Sequence, residues 1–517
     1  MRVLLSCFAL LLCMQGFSQS LQLDNVLKVK MRNFGPIIEN NQVKGYYGFY
    51  KAGNARGRDV VYLLKILDEN AKEVVSKRMI RPYSYYLTEA VYNGNAIVFS
   101  FIDNAQRTIE LVSYNMAGEQ IGTRKYPKMD GGDFRLTYAY QNIDNEESSN
   151  LTIFPAGDQG FVRMSFEKDR KIRYKLEYLP NTLSATGRWV KGSEDDSDEY
   201  EIPEVADVVA PFMISGIAKR KNAFDKDIHY NLQVRDMFTG EPLFDKPLSD
   251  PRYILSFLMA KFDPVRSHII VLGEYFDPRD NIFNGKSLGL YVKTVSMSGE
   301  VLSSKLLSWE SDISRFLPAN AKGRLEEGGF IAFHHAALDN DGNVVFVGER
   351  YRKAVSGIGV ALQLAGSNDV STVKMVVEEM MIFSVNAKQE LTGVDVFEKK
   401  AQSILLPGGW GLYSSKTLSQ MMAAYGLFDY QYSQQSLAKD LFLSTYMSVE
   451  KEKGEPRHNI LGVIAKAGSD GFTTDKIDLS SEADAIGVYP GKTGSVLIVE
   501  YYRKEKQLRF RLEDFNY

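Results

Sequence analysis

The chain has 517 residues, with 62 Lys and Arg against 65 Asp and Glu, so it is close to neutral. That balance argues against a nucleic-acid binder, which needs a concentrated basic face. Its 44% hydrophobic and 25% charged residues are ordinary for a globular protein, and 29 Tyr and 29 Phe against only 16 Pro favour strands.

Residues 1–18 read as a secretory signal peptide. Arg2 opens the segment, Val3 to Met14 form an uncharged apolar run, and Gly16-Phe17-Ser18 puts small residues at the two positions a signal peptidase inspects. The run is too short to span a bilayer as a helix. An uncleaved anchor and lipidation at Cys13 are the alternatives; Leu10-Leu11-Leu12 lacks the small residue that lipoprotein signals place before the cysteine. No later stretch approaches the length of an apolar membrane span, so none is expected in the mature chain. Both cysteines, Cys7 and Cys13, lie in this segment. The mature chain is therefore expected to lack disulfides, thiolate nucleophiles, Cys-ligated zinc and covalent haem.

Asn25 to Met31 reads as a spare strand. Beyond it, a unit of roughly 60 residues recurs: strand, turn, nearly all-apolar strand, loop, alternating strand, tight Gly turn, outer strand. The Gly turn is plain at Met116-Ala117-Gly118-Glu119, Phe238-Thr239-Gly240-Glu241 and Met297-Ser298-Gly299-Glu300, the last two 59 residues apart. Weaker copies stand at Asp68 to Lys72 and Asn386 to Gln389. Such a turn needs one residue at positive φ. The apolar strand is seen in Ala96 to Phe99, Phe161 to Met164, Ile269 to Tyr275, Val344 to Glu349 and Val496 to Tyr501, as expected where both faces are buried.

Seven units are clear, near 45–80, 87–128, 151–192, 211–248, 257–309, 331–400 and 427–479. An eighth, 485–517, supplies only three strands. Four-stranded units that cannot bury their own faces must stack around an axis, which predicts an all-β chain forming a β-propeller of seven to eight four-stranded blades over residues 19–517. The N-terminal strand Val26–Met31 is expected to close the ring as the outer strand of the last blade. Two separate β domains are the alternative. Insertions are expected at 193–204 (an acidic, solvated loop), 310–330, 352–378 and 401–439. Ser415 to Tyr425, ended by Gly426, is the most helix-like run.

Few residues suggest chemistry. Glu274, Glu349 and Glu500 fall at equivalent places, each ending a buried strand. A ring of carboxylates could serve acid–base chemistry, and repeat-conferred salt bridges explain the same spacing. His334-His335 sits in the expected innermost strand of the sixth unit. Neighbours on a strand face opposite ways, so the pair cannot chelate one metal, and only one of them can line a central channel. Asp339 to Asn343 has its Gly at the fourth position of any calcium loop and reads as a hairpin turn. No phosphate loop, dinucleotide fingerprint, HExxH or supported GxSxG occurs, and no metal or cofactor is expected.

The Gly-Phe-Ser-Gln that ends the signal, the Tyr-, Asn- and Lys-rich chain, and Phe333-His334, Asp341-Gly342 and Val347-Gly348-Glu349 resemble an uncharacterised family of secreted, propeller-like proteins of Bacteroidota. The resemblance covers most of the chain and carries no catalytic residues. It implies an envelope location. The C-terminus reads as the last blade, which favours the periplasm or an outer-membrane association over release.

The expected function is a non-enzymatic envelope binding or scaffold protein. It would recognise a protein, peptide or glycan through loops on one propeller face, with Trp410, Tyr413 and His335 as binding candidates. The alternative is a carbohydrate-active enzyme, a glycoside hydrolase or lyase, using Glu274, Glu349, Glu500 or His334 at the channel mouth. Neither reading fixes the oligomeric state.

Overall fold

The computed structural model describes residues 20–516 apart from 40–41, 142–149, 169–170, 185–188, 193–198, 223–224, 226, 281, 284–285, 326–327, 365–368, 451–457, 469–470 and 481. The signal peptide expected at 1–18 lies outside the described residues, as does the acidic start of the 193–204 segment.

Among the described residues, alternation and Gly turns give eight antiparallel sheets, seven of them built from consecutive strands in chain order and the eighth completed by a strand from the N-terminal end. They span Phe34–Pro82, Tyr85–Lys125, Ile153–Gly192, Tyr200–Leu248, Ile254–Ser308, Phe330–Phe397, Tyr430–Asp478 and Ala485–Asp514. The second and third strands carry most of the burial. All eight residues of Ser495–Tyr502 are buried, whereas the outer strand Val301–Ser308 is mostly exposed.

The turn between third and fourth strands explains the Gly-Glu repeat. Gly118, Gly240 and Gly299 have φ of +75°, +75° and +78°. In each, the residue before the turn pairs back to the residue after the Gly, as Asn115 with Glu119 (3.0 Å) and Ser296 with Glu300 (2.8 Å). The pairing register slips beside every one of these turns, the signature of a bulge with its first residue left-handed. Ala71 (φ +59°) and Gln389 (φ +63°) hold the same place in the degenerate copies.

Sheets pack face to face through apolar clusters that follow chain order. Phe49, Leu64, Phe99 and Phe101 join the first sheet to the second; Ile270, Leu290, Phe346 and Phe383 join the fifth to the sixth. The eighth sheet meets the first through Leu497, Val499 and Phe510 against Phe34, Tyr46 and Tyr50. The first strands lie innermost, those of most neighbouring sheets touching, and Ala485–Pro490 touches Phe34–Glu39. Two independent β domains would leave such an interface unmade. The fold is of β-propeller type with eight blades, at the upper end of the expected count.

Three expectations are corrected. The strand that completes the eighth sheet is Ser20–Leu23, not Val26–Met31; it pairs Ser20 with Arg511 and Leu23 with Leu508. Val26, Val29 and Met31 are apolar because they form a buried strap between the eighth and first sheets. Val26 N donates to Lys506 O (2.8 Å), and Tyr501 Oη donates to Leu27 O (3.0 Å). Second, residues 200–204 are not loop: Tyr200–Val209 is the inner strand of the fourth sheet. Third, 352–378 and 401–439 are not loop throughout, because strand enters both ends of the first and parts of the second. Val370–Val385 is longer than any strand of the other sheets and pairs with the long Val344–Val355, Gln402–Pro407 adds a fifth strand beside the far part of Val370–Val385, and Tyr430–Ser436 already belongs to the seventh sheet. The helix expected from Ser415 runs Ser415–Ala424, with Ser414 Oγ capping Thr417 N at 3.0 Å.

A regular irregularity was not foreseen. The first strands of five sheets each carry a bulge, at Thr88, Ala206, Leu258, His334 and Gln431. A bulge breaks the two-residue alternation, so His334 and His335 do not simply face opposite ways.

Candidate functional site

The three repeat-equivalent glutamates go to three separate structural jobs. Glu349, on the second strand of the sixth sheet, is fully buried. Lys399 Nζ lies 3.0 Å from its Oε1 and is also bonded to Asp429. Asp429 N and Tyr430 N donate to the same carboxylate at 3.3 Å, so Glu349 ties its sheet to the start of the seventh. His334 Nε2 is 3.3 Å from Glu349 Oε2, and its ring stacks on Tyr430 at 4.8 Å and 5°. Burial would raise the Glu349 carboxyl, but the His334 contact and the Lys399 charge hold it below its ordinary value. Burial pushes Asp429 up to about 6 against the opposing pull of Lys399.

Glu500 accepts from Ser480 N (3.2 Å) and Tyr502 Oη (3.0 Å) and faces Arg511 Nη2 at 3.5 Å. Glu274 is paired with Lys416 on the inserted helix. Among the described residues no hydrogen bond or ion pair joins any two of these glutamates, and no three His, Asp or Glu gather as a metal site. His335 belongs to a different line of inner-strand groups. Burial, with the nearby charge of Lys261, lowers its imidazole to about 4, while Lys261 Nζ donates to Asp207 on the fourth sheet at 2.9 Å.

The inserted segment builds the main recess. Leu418 and Met422 pack into a cluster with Tyr351, Met375, Leu406 and Phe428, which fixes the helix on the extended sixth sheet. Ser414 Oγ donates to Phe283 O (2.8 Å) and Lys416 pairs with Glu274, so the same helix also reaches the fifth sheet. Beneath it is a cavity of about 280 Å³ with an apolar wall that includes Leu258, Trp309, Phe330 and Phe333. Beside it, sharing Lys286, Lys322, Phe330 and Ser415, is an open recess of about 360 Å³. Five cations line that recess: Lys286, Lys322, Arg324, Arg352 and Lys353; no described carboxylate does. Arg352 is held by Glu378 and Lys353 by the carbonyls of Gly411 and Tyr413. Lys286, Lys322 and Arg324 are exposed, with no ion-pair partner among the described residues.

Of the aromatic candidates, Trp410 is half-buried against Tyr425 at 5.7 Å and serves packing. Tyr413 is 49% exposed next to Leu412 at 92%. Nothing in the repeat marks Lys399, Asp429 or the recess cations: Lys399, Asp429, Lys286, Lys322 and Arg324 stand on connections, and Arg352 and Lys353 on the extended end of Val344–Val355.

An eight-sheet β-propeller with an apolar cavity beneath an inserted helix and a cationic recess beside it defines a class: an all-β protein whose extra segments build a pocket between two blades. The chain matches the model of a protein family over residues 1–516 and belongs to it; that family is described as a family of unknown function, DUF6770. No curated protein matches in sequence. Solved structures similar to the chain include prolyl oligopeptidase B from Galerina marginata, at 8% identity and a TM-score of 0.34, covering 84% of this chain and 55% of that one. The chain thus spans about half the length of that enzyme. Others are the polysaccharide lyase Uly1 (10% identity, TM-score 0.34, covering 93% and 90%) and the BP39L lectin from Burkholderia pseudomallei (8%, 0.31, 90% and 99%). No helix among the described residues is long and apolar enough to cross a membrane.

Proposed function

We propose that this protein is a non-enzymatic binding or scaffold protein, exported to the cell envelope, and that its ligand site is the recess between the fifth and sixth sheets. The observation that carries the reading is the contrast between carboxylates and cations. Each repeat glutamate is consumed in a contact that holds the fold together, whereas Lys286, Lys322 and Arg324, around an open recess, have no ion-pair partner among the described residues. A hydrolase or lyase acting through Glu274, Glu349 or Glu500 needs carboxylates free to exchange protons with substrate, and a pair of them a few ångströms apart. A cationic rim beside an apolar cavity suits an acidic peptide or protein segment carrying an apolar anchor.

A peptide array probed with the purified chain tests this. Peptides that place an apolar residue among acidic ones are expected to be retained, and Lys322→Glu with Arg324→Glu to abolish retention without changing the melting temperature. Release of sugar products from oligosaccharides, lost in Glu274→Gln, would overturn the reading in favour of an enzyme.

A further inference from the structure

A second pocket lies nearly half the molecule away from that recess in chain order, at the junction of the first two sheets. Its volume is about 230 Å³, somewhat below the range of about 300–1,000 Å³ of most small-ligand sites. The outer strand of the first sheet ends at Pro82 and the second sheet begins at Tyr85, so the junction is only Tyr83-Ser84. Ser84 is fixed by Asp103 (2.9 Å) and by Asn104 N donating to its carbonyl (2.9 Å). That short junction sets Tyr83, Tyr85 and Tyr86 beside Tyr50 and Tyr62, all lining the pocket. Tyr83 is 57% exposed. The buried strap supplies the remaining wall with Lys28, Lys30 and Asn33.

Three features of this pocket are left unmet by the protein. Asn33 is 7% exposed, and its Oδ1 accepts no hydrogen bond among the described residues. The hydroxyls of Tyr50, Tyr62, Tyr83 and Tyr86 make no hydrogen bond to another described residue and are not among the buried unpartnered atoms, so they remain open to a ligand in the pocket. Lys28 and Lys51 face each other across an isolated antiparallel bridge, Lys51 N donating to Lys28 O at 3.0 Å. Like charges directly opposed across a bridge repel, and neither ammonium has an ion-pair partner among the described residues. No described carboxylate lines the pocket.

We infer that this pocket is a saccharide site, and that the saccharide bears a carboxylate, as a uronic acid does. Tyrosine rings offer flat apolar faces to the C–H side of a pyranose, with hydroxyls at their rims for its oxygens. The Asn33 carbonyl accepts a sugar hydroxyl. The opposed Lys28 and Lys51 take the carboxylate, which removes their mutual repulsion. The site is independent of the peptide recess and of the residues assigned there.

The test is calorimetric titration of the full chain with tetrasaccharides of galacturonate, mannuronate and glucuronate, and with maltotetraose and methyl-esterified tetragalacturonate as uncharged probes. At least one uronate is expected to bind, with affinity that falls as salt rises. Tyr83→Ala with Tyr86→Ala, and separately Lys28→Met with Lys51→Met, are each expected to weaken it at least tenfold, while Lys322→Glu leaves it unchanged. Tyr83 is exposed enough that Tyr83→Ala alone keeps the fold, and an unchanged melting temperature confirms that. No binding of any uronate, binding indifferent to the tyrosines, or a preference for the uncharged sugars would each overturn the inference. Failure of the peptide array leaves it standing, because the two experiments read different residues.

Discussion

Lys399 Nζ lies 3.0 Å from Glu349 Oε1 with the two side chains 1% and 0% exposed, and the same ammonium reaches Asp429. One buried cation therefore serves two buried carboxylates, and two backbone N–H groups of the seventh sheet complete the set. Removing one partner from such a group leaves the others charged and dry, which costs about 3–5 kcal/mol. Lys399→Met is expected to lower unfolding free energy by that amount in urea titration. Glu349→Gln keeps one acceptor for the two amides and is expected to cost less. A Glu349→Gln variant as stable as the parent, with a catalytic activity lost, would contradict the structural role given to Glu349.

His335 makes stability depend on pH in a defined direction. Its imidazole titrates near 4 in the folded chain, against about 6.5 when unfolded. Between those values the unfolded state binds the proton and the folded state does not. Stability from this group is complete above about 6.5 and falls as pH drops towards 4, by about 3 kcal/mol. Asp429, raised to about 6, acts oppositely: its contribution weakens as pH rises from about 4 to 6. The difference between the parent and His335→Gln isolates the imidazole. Urea titrations at pH 4, 5, 6 and 7 are expected to show the variant gaining on the parent as pH falls, with no gain between pH 7 and 8.

The blades were legible because their strands and turns carry local rules. Gly118, Gly240 and Gly299 mark a position that must be left-handed, and even Ala71 and Gln389 could be found from the flanking pattern. Gln389 keeps the place without being Gly because its amide bonds Thr294 (2.6 Å) and Ser303 (2.7 Å) on the fifth sheet. The closing strand was misplaced for a physical reason: Val26, Val29 and Met31 look like a strand because they are apolar, yet they are buried as a strap. Ser20–Leu23 pairs at an outer edge and so needs fewer apolar residues. Bulges have no compositional mark, so the true disposition of His334 was hidden. The site was least legible of all, since its cations and tyrosines acquire meaning only when distant segments meet.

The closing strand yields a truncation test. A chain beginning at Gln19 retains Ser20–Leu23, while one beginning at Asn25 lacks it and exposes the edge formed by Gln507–Asp514. Loss of four paired residues and the burial of Leu23 is expected to cost about 2–4 kcal/mol. Hydrogen exchange should show the amides of Leu508 to Arg511 losing protection first. An unpaired edge also invites association, so the shorter chain is expected to self-associate at concentrations where the longer one does not.

The inserted helix is held at two ends by different forces, which lets them be separated. Leu418 and Met422 anchor it in an apolar cluster on the sixth sheet, and the Lys416–Glu274 pair draws it to the fifth. Lys416 Nζ also lies 4.3 Å from the ring centroid of Phe276. The pair is partly shielded, with side chains 18% and 17% exposed, so the bond counts for more than a surface ion pair. Lys416→Met leaves the Glu274 carboxylate without its counter-charge, and hydration of that carboxylate favours opening of the 280 Å³ cavity. Global stability is expected to fall by only about 1–2 kcal/mol, because the insertion lies outside the blade interfaces. Exchange of the amides in Ser415–Ala424 should accelerate well beyond that of the strands, and acidic peptides should bind the recess more weakly. Leu418→Ala attacks the other anchor and is expected to cost more in stability, about 2–5 kcal/mol, with the same local loss of protection. Equal exchange rates in the parent and Lys416→Met would mean that the apolar anchor alone positions the helix, and that Glu274 is free for another role.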